Sequence, residues 1–106
     1  MYVRMTFFRL KMGKMSELRE LYNKEVLFAH KGHKGIRFVH LLGSLDERDE
    51  GISVTAWDTK ADVEAYERSG EYEKLVAKFK DMYAEEPKLK SYEVTASSEP
   101  ILLRIF

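Results

Sequence analysis

The chain opens on a run dense in aromatic and β-branched side chains, Tyr2 to Leu10, which reads as a strand. Lys11-Met12-Gly13-Lys14 is a turn, and the apolar residues that follow, Met15, Leu18, Leu21, Tyr22, Val26 and Ala29, fall at helical spacing. Glu20 and Lys24, four residues apart, add a favourable pair on that helix, and Gly32 and Gly35 close it. Alternation returns at Ile36 to Leu42, with Ile36, Phe38, His40 and Leu42 on one face and Arg37, Val39 and Leu41 on the other. The charged stretch Gly43 to Glu50 is a solvated loop. Gly51 to Trp57 is a third strand, with Ile52, Val54 and Ala56 opposed to Ser53, Thr55 and Trp57.

Asp58 or Thr59 then caps a helix, and Asp62 suits its first turn. Ser69-Gly70 interrupts that helix, and Ser69 starts a second piece with Tyr72, Leu75, Val76, Phe79, Met82 and Tyr83 along one stripe, ended by Pro87. Lys88 to Thr95 is the fourth strand. The order β-α-β-β-α-β predicts an α+β, ferredoxin-like domain over residues 1–95, with an antiparallel sheet and the helices on one face. The other face carries apolar side chains too and calls for a second sheet. The tail 96–106 ends in Ile101, Leu102, Leu103, Ile105 and Phe106, too apolar to stand in water, so docking on a sheet edge or a partner subunit is expected.

Composition narrows the partners. At 106 residues the chain makes one domain, small enough to gain from pairing with a copy of itself. Lys+Arg and Asp+Glu balance at 18 each, so no field of one sign attracts nucleic acid. The absence of cysteine removes disulfides, thiolate nucleophiles and thiolate metal ligands. No apolar run approaches a membrane span and no signal peptide is evident at the N-terminus; a cytoplasmic protein is expected.

The candidate chemistry is sparse. His30 and His33 stand at H-x-x-H spacing, but Gly32 lies between them and no carboxylate completes a metal site, so they read as a solvated helix end. His40 lies inside a strand beside Phe38 and Leu42, as a core or interface histidine or as a proton acceptor. Trp57 is a packing anchor or lines a pocket. Arg4, Arg9 and Arg37 are available to an anionic ligand or to ion pairs at an interface.

Leu10-Lys11-Met12-Gly13-Lys14, Val54-Thr55-Ala56-Trp57-Asp58, Ala65-Tyr66-Glu67-Arg68-Ser69-Gly70-Glu71-Tyr72 and Ser91-Tyr92-Glu93-Val94 together resemble the antibiotic biosynthesis monooxygenase family of dimeric α/β barrels. The resemblance covers about Tyr2 to Thr95 and implies a homodimer, with a pocket in each subunit between sheet and helices. It implies either oxidation of an anthrone, a quinol or a similar electron-rich ring by O2 without a cofactor, or the binding of haem or another small ligand. Cofactor-free relatives pair the strand-end tryptophan with an asparagine four residues before it and a tyrosine six residues after it. Here Trp57 matches, while Ser53 and Val63 stand at the other two positions. Haem degraders use positions that correspond to Phe8, Tyr66 and Val76, and all three differ. The expectation carried forward is a cofactor-independent monooxygenase for a small aromatic or quinol-type substrate, with no metal or cofactor and no nucleic-acid or membrane partner. Its candidate catalytic residues are Trp57, Tyr66 and His40, and Phe8, Thr55 and Tyr72 are the candidate pocket lining. The alternative is a non-catalytic dimer that binds haem or another small molecule.

Overall fold

A computed structural model describes residues 1–98; the apolar tail segment singled out in the sequence falls outside the described residues. Strand β1 (Tyr2–Arg9) leads into a helix built in three consecutive pieces, Met15–Leu21, a π-helical stretch Tyr22–Val26 and a last turn Leu27–His30, together called α1. Then come β2 (Ile36–Gly43), β3 (Glu50–Trp57), α2 (Lys60–Ser69), α3 (Glu71–Lys78), a single 3₁₀ turn at Lys80–Met82 and β4 (Lys88–Glu93). The four strands form one antiparallel sheet in the order β2-β3-β1-β4, the ferredoxin-like arrangement.

Local chemistry explains the boundaries. Asp49 accepts from the backbone N–H groups of Gly13 and Met15 through its two carboxylate oxygens, which puts a negative charge at the start of α1. Thr59 caps α2 by accepting from the N–H of Asp62 at 3.1 Å. Gly70 ends α2 at φ 76°, a left-handed position that suits glycine, and α3 starts directly after it. Ser69, expected to cap this second helical piece, is instead the last residue of α2: its Oγ accepts from the N–H of Glu71, but the N-cap position of α3 is Gly70, which has no side chain to cap with.

Cross-strand register sorts the side chains. Arg4 pairs with Thr55, Thr6 with Ser53 and Leu89, and Leu41 with Ser53, so these residues share the face under the helices. Met5, Phe7, Val54, Ile52, His40, Leu42 and Tyr92 share the opposite, open face. One expectation for β2 needs correction. A bulge between Ile36 and Phe38 shifts the register, so Ile36 turns under the helices and packs with Trp57, instead of sharing a face with Phe38 and His40. Arg37, at the bulge, donates from Nε to Asp58 at 2.8 Å.

The core lies in two pieces. Phe8, Leu10, Leu18, Tyr22, Val26, Phe79 and Met82 form one, and Ile36, Trp57, Val63 and Tyr66 form the other. Gly51 makes room for the first: a Cβ there would fall against the Leu42 carbonyl and 2.7 Å from the Phe8 ring. No helix among the described residues is long and apolar enough to cross a membrane.

Candidate active site between sheet and helices

A narrow cleft runs between the sheet and the helices, walled by residues of both core pieces, with a volume of about 60 Å³. By the usual allowance of roughly 10–15 Å³ per water position, it holds only a few waters as it stands. Its floor is Arg4, Thr6 and Phe8 of β1 with Ser53 and Thr55 of β3, and its roof includes Tyr22, Val26, His30, Tyr66, Tyr72 and Leu75. Among these walls α3 is the looser one: no residue of α3 is fully buried, and Tyr72, Leu75 and Val76 are only half covered.

The polar groups gather at one end. His30 is 3% exposed, and its two ring nitrogens have different partners. Nδ1 lies 2.9 Å from the Val26 carbonyl, which can only accept, so Nδ1 carries the hydrogen and Nε2 accepts from the Tyr66 hydroxyl at 3.0 Å. Burial pushes the His30 pKa down, and the hydrogen bond to Val26 offsets part of that. The nearby His33 and Arg4 charges push it further down, while Glu71 pulls it up. Burial also raises the Tyr66 pKa strongly, against the opposing pull of Arg4. The pair is therefore neutral near pH 7, a phenol hydrogen-bonded to an imidazole.

Tyr66 is held by rings on several sides. Trp57 packs 4.9 Å away and His33 meets the ring edge-on at 4.9 Å. The Arg4 guanidinium carbon sits 4.9 Å from the centre of the Tyr66 ring and 5.0 Å from that of Tyr72. Arg4 itself is 4% exposed, and the nearest carboxylate, Glu67, stands 3.9 Å away, beyond hydrogen-bond range. Among the described residues the Arg4 Nε–H has no acceptor. Burying an incompletely paired ion costs several kcal/mol, on the order of more than two cation–π contacts return.

Of the residues singled out from the sequence, Phe8, Thr55, Tyr66 and Tyr72 meet at this cleft. Trp57 lies behind it, fully buried, with its Nε1–H donated to Thr55 Oγ1 at 2.8 Å, and it supports Tyr66 from the core side. The structure does not bring His40 to the cleft. The alternation of β2 puts it on the open face, exposed and stacked on Phe38 at 4.4 Å. The residue that sequence reasoning missed is His30, expected to be a solvated helix end and found buried against Tyr66. A signal was present: Leu18, Tyr22, Val26 and His30 recur every four residues. Among the described residues no group of three acidic or histidine side chains lies close enough together to hold a metal ion.

The model of one family, antibiotic biosynthesis monooxygenase, matches residues 1–78. The chain belongs to this family. The matched region takes in β1 through α3, and of the cleft walls only Phe79, Tyr83 and Leu89 lie outside it. Solved structures agree on the fold. A protein from Nitrosomonas europaea assigned to the antibiotic biosynthesis monooxygenases superposes with a TM-score of 0.74 at 21% identity, over 91% of this chain and 100% of that one. Another so assigned, from Deinococcus radiodurans, gives 0.77 at 13% identity, over 94% of this chain and 98% of that one. The haem degrader MhuD from Mycobacterium tuberculosis, whose structure carries two haems in its active site, gives 0.73 at 15% identity, over 93% of this chain and 100% of that one. At such identities the likeness speaks for the fold alone. No curated protein matches the sequence.

Proposed function

We propose that this protein is a cofactor-independent monooxygenase that binds a small electron-rich aromatic substrate in the cleft and works as a homodimer. The observation that carries the reading is the Tyr66 hydroxyl, at the cleft wall and hydrogen-bonded to the neutral Nε2 of His30. Family membership is consistent with it. An activated methylene between aromatic rings reacts with O2 once it has lost a proton. The net change, in which the methylene and one dioxygen become a carbonyl and one water, is balanced. The carbon gives up four electrons and dioxygen takes all four, so no outside reductant is required.

In this scheme the Tyr66 oxygen takes the C–H proton while its own proton passes to His30 Nε2, and the Val26 carbonyl holds the imidazole in the receptive tautomer. Phe8 and Tyr72 orient the ring, and Thr55 ties Trp57 in place behind Tyr66. Substrate entry displaces α3 outward, the wall with the least buried surface. The dimer reading rests on the open face, where Phe38, Leu42 and Tyr92 stand 37%, 45% and 46% exposed beside Met5, Phe7 and Ile52. His40 belongs to that seam in this reading.

Haem fits these residues poorly. Phe8 and Val76 offer no ligand atom, and His30, the histidine that lines the cleft among the described residues, has both nitrogens engaged. The test is O2 uptake by the purified protein with a panel of anthrones and hydroquinones, with a parallel haemin titration. Uptake that falls by roughly 10²-fold or more in Tyr66→Phe is expected, the usual scale for loss of an acid–base group. Saturable binding of the same compounds without uptake in the wild type would leave a binding protein and sink the enzyme.

A further inference from the structure

We infer that the cleft takes its aromatic ligand as an anion, with the Arg4 guanidinium holding a carboxylate or phenolate oxygen. The inference rests on the reading of the cleft as a substrate site and adds the chemical class of what enters it.

Arg4 sits on the middle strand pair of the sheet and projects under the helices, into the cleft. A guanidinium keeps its charge at every physiological pH and presents its N–H groups in one plane, a fork matched to a carboxylate or other anionic oxygen. Here that fork is buried and under-used. Glu67 stands off at 3.9 Å with its own carboxylate half in solvent, and the Nε–H finds no acceptor among the described residues. The Tyr66 and Tyr72 rings lie about the charge at 4.9 and 5.0 Å, but a ring face supplies no oxygen acceptor. The other two arginines noted in the sequence differ. Arg9 is paired with Glu85 at 3.2 Å and Arg37 with Asp58 at 2.8 Å. Arg4 is thus a buried cation with donor capacity left over, aimed into a cleft whose remaining walls are mostly apolar. An arene with one anionic oxygen satisfies both halves: Phe8, Leu75, Val76 and Leu89 cover its body, and Arg4 takes its charge.

The position also has a chemical use. A phenolate oxygen raises the electron density of the carbon that meets O2, and with either anion Arg4 beside Tyr66 fixes that carbon relative to the proton acceptor.

The test is calorimetric titration of the intact protein with two isosteric pairs, 2-naphthoate against 2-naphthamide and, in mildly alkaline buffer, 4-nitrophenolate against 4-nitroaniline. The expected result is a preference of roughly tenfold or more for the anion in at least one pair, the scale of one charge-assisted hydrogen bond. The pair that shows it identifies the oxygen as carboxylate or phenolate. In Arg4→Met the preference falls to about one, and in Arg4→Lys, which keeps the charge and loses the fork, it survives in reduced form. Equal binding of anion and neutral isostere by the wild type overturns the inference without any variant. So does a preference that persists in folded Arg4→Met. The readout is independent of oxygen chemistry. Anion preference without O2 uptake sinks the monooxygenase and leaves Arg4 standing, while uptake of neutral substrates unchanged in Arg4→Met does the reverse.

Discussion

Replacing Tyr66 with phenylalanine removes one oxygen atom and leaves the ring. The ring contacts to Trp57 and Arg4 survive, so the loss is concentrated in the hydrogen bond to His30. Nε2 of a histidine only 3% exposed then has no donor, and a buried acceptor left unpaired costs about 1–3 kcal/mol. Because Tyr66 lines the cleft, a water can replace the hydroxyl in part, which puts the expectation near the lower end, about 1–2 kcal/mol. For a domain of this size each kcal/mol moves Tm by roughly 4–8 °C, so a fall of about 4–16 °C is expected. The decisive assay is a double-mutant cycle with His30→Leu by urea unfolding at fixed protein concentration, since a dimer's stability depends on concentration. Removing both partners also removes the unpaired acceptor, so the double variant should be more stable than the sum of the singles predicts, by on the order of 1 kcal/mol. Additivity within about 0.3 kcal/mol would mean that the two side chains are neighbours without being partners, and the proton route through them would fall with it.

Stability should also depend on pH at both ends. Burial lowers the His30 pKa from 6.5, so the unfolded chain binds the extra proton first; stability is full above pH 6.5 and drops as pH falls from there toward the depressed folded value. Burial raises the pKa of Tyr66, and pushes that of Tyr83 up to about 12, so the unfolded chain loses protons first and stability falls as pH rises past 10. Unfolding followed from pH 5 to 11 checks both arms, and His30→Leu should flatten the acid arm between pH 7 and 5. On the open face, Leu42→Lys sets a charge among Phe7, Phe38 and Ile52 and should yield a monomer by sedimentation, with the cleft residues untouched; a wild type that sediments as a monomer at micromolar concentration would sink the dimer.

Much of this architecture is legible in the sequence because it depends on short-range rules. The alternation of β1 and β3 sorts Arg4, Thr55 and Trp57 onto the helix face, and Thr59 and Gly70 mark the ends of α2 by capping chemistry that acts within three residues. The misreadings depend on more distant partners or on a break in periodicity. Ile36 changes face because β2 holds one residue more than strict alternation allows, and the extra residue, Arg37, is held by Asp58. His30 reads as solvated because Gly32 and two lysines follow it closely. Its burial is decided by Tyr66, 36 residues further on, which no local window contains. Phe8, Tyr66 and Tyr72 can be nominated for the cleft from sequence, yet the pairing state of Arg4 cannot, since it is a fact about which carboxylates fail to reach.

The π-helical stretch Tyr22–Val26 acts as a phase corrector. Steps of four residues on a regular α-helix advance about 40° each, so Leu18 and His30 would end about 120° apart, and the imidazole would look along the surface. Widening the middle of α1 cancels that drift and delivers Leu18, Tyr22, Val26 and His30 to one side. The proton-holding end of the cleft is therefore kept in phase by backbone geometry as well as by side-chain identity. Deleting a single residue, Asn23, would let α1 relax to regular α geometry with Leu18 and the imidazole eleven residues and about 20° apart, so the π turn can be lost without turning the imidazole from Tyr66. Relatives with a regular helix one residue shorter are thereby expected to present the same side chain to the tyrosine, at the shorter spacing, on an otherwise unchanged fold.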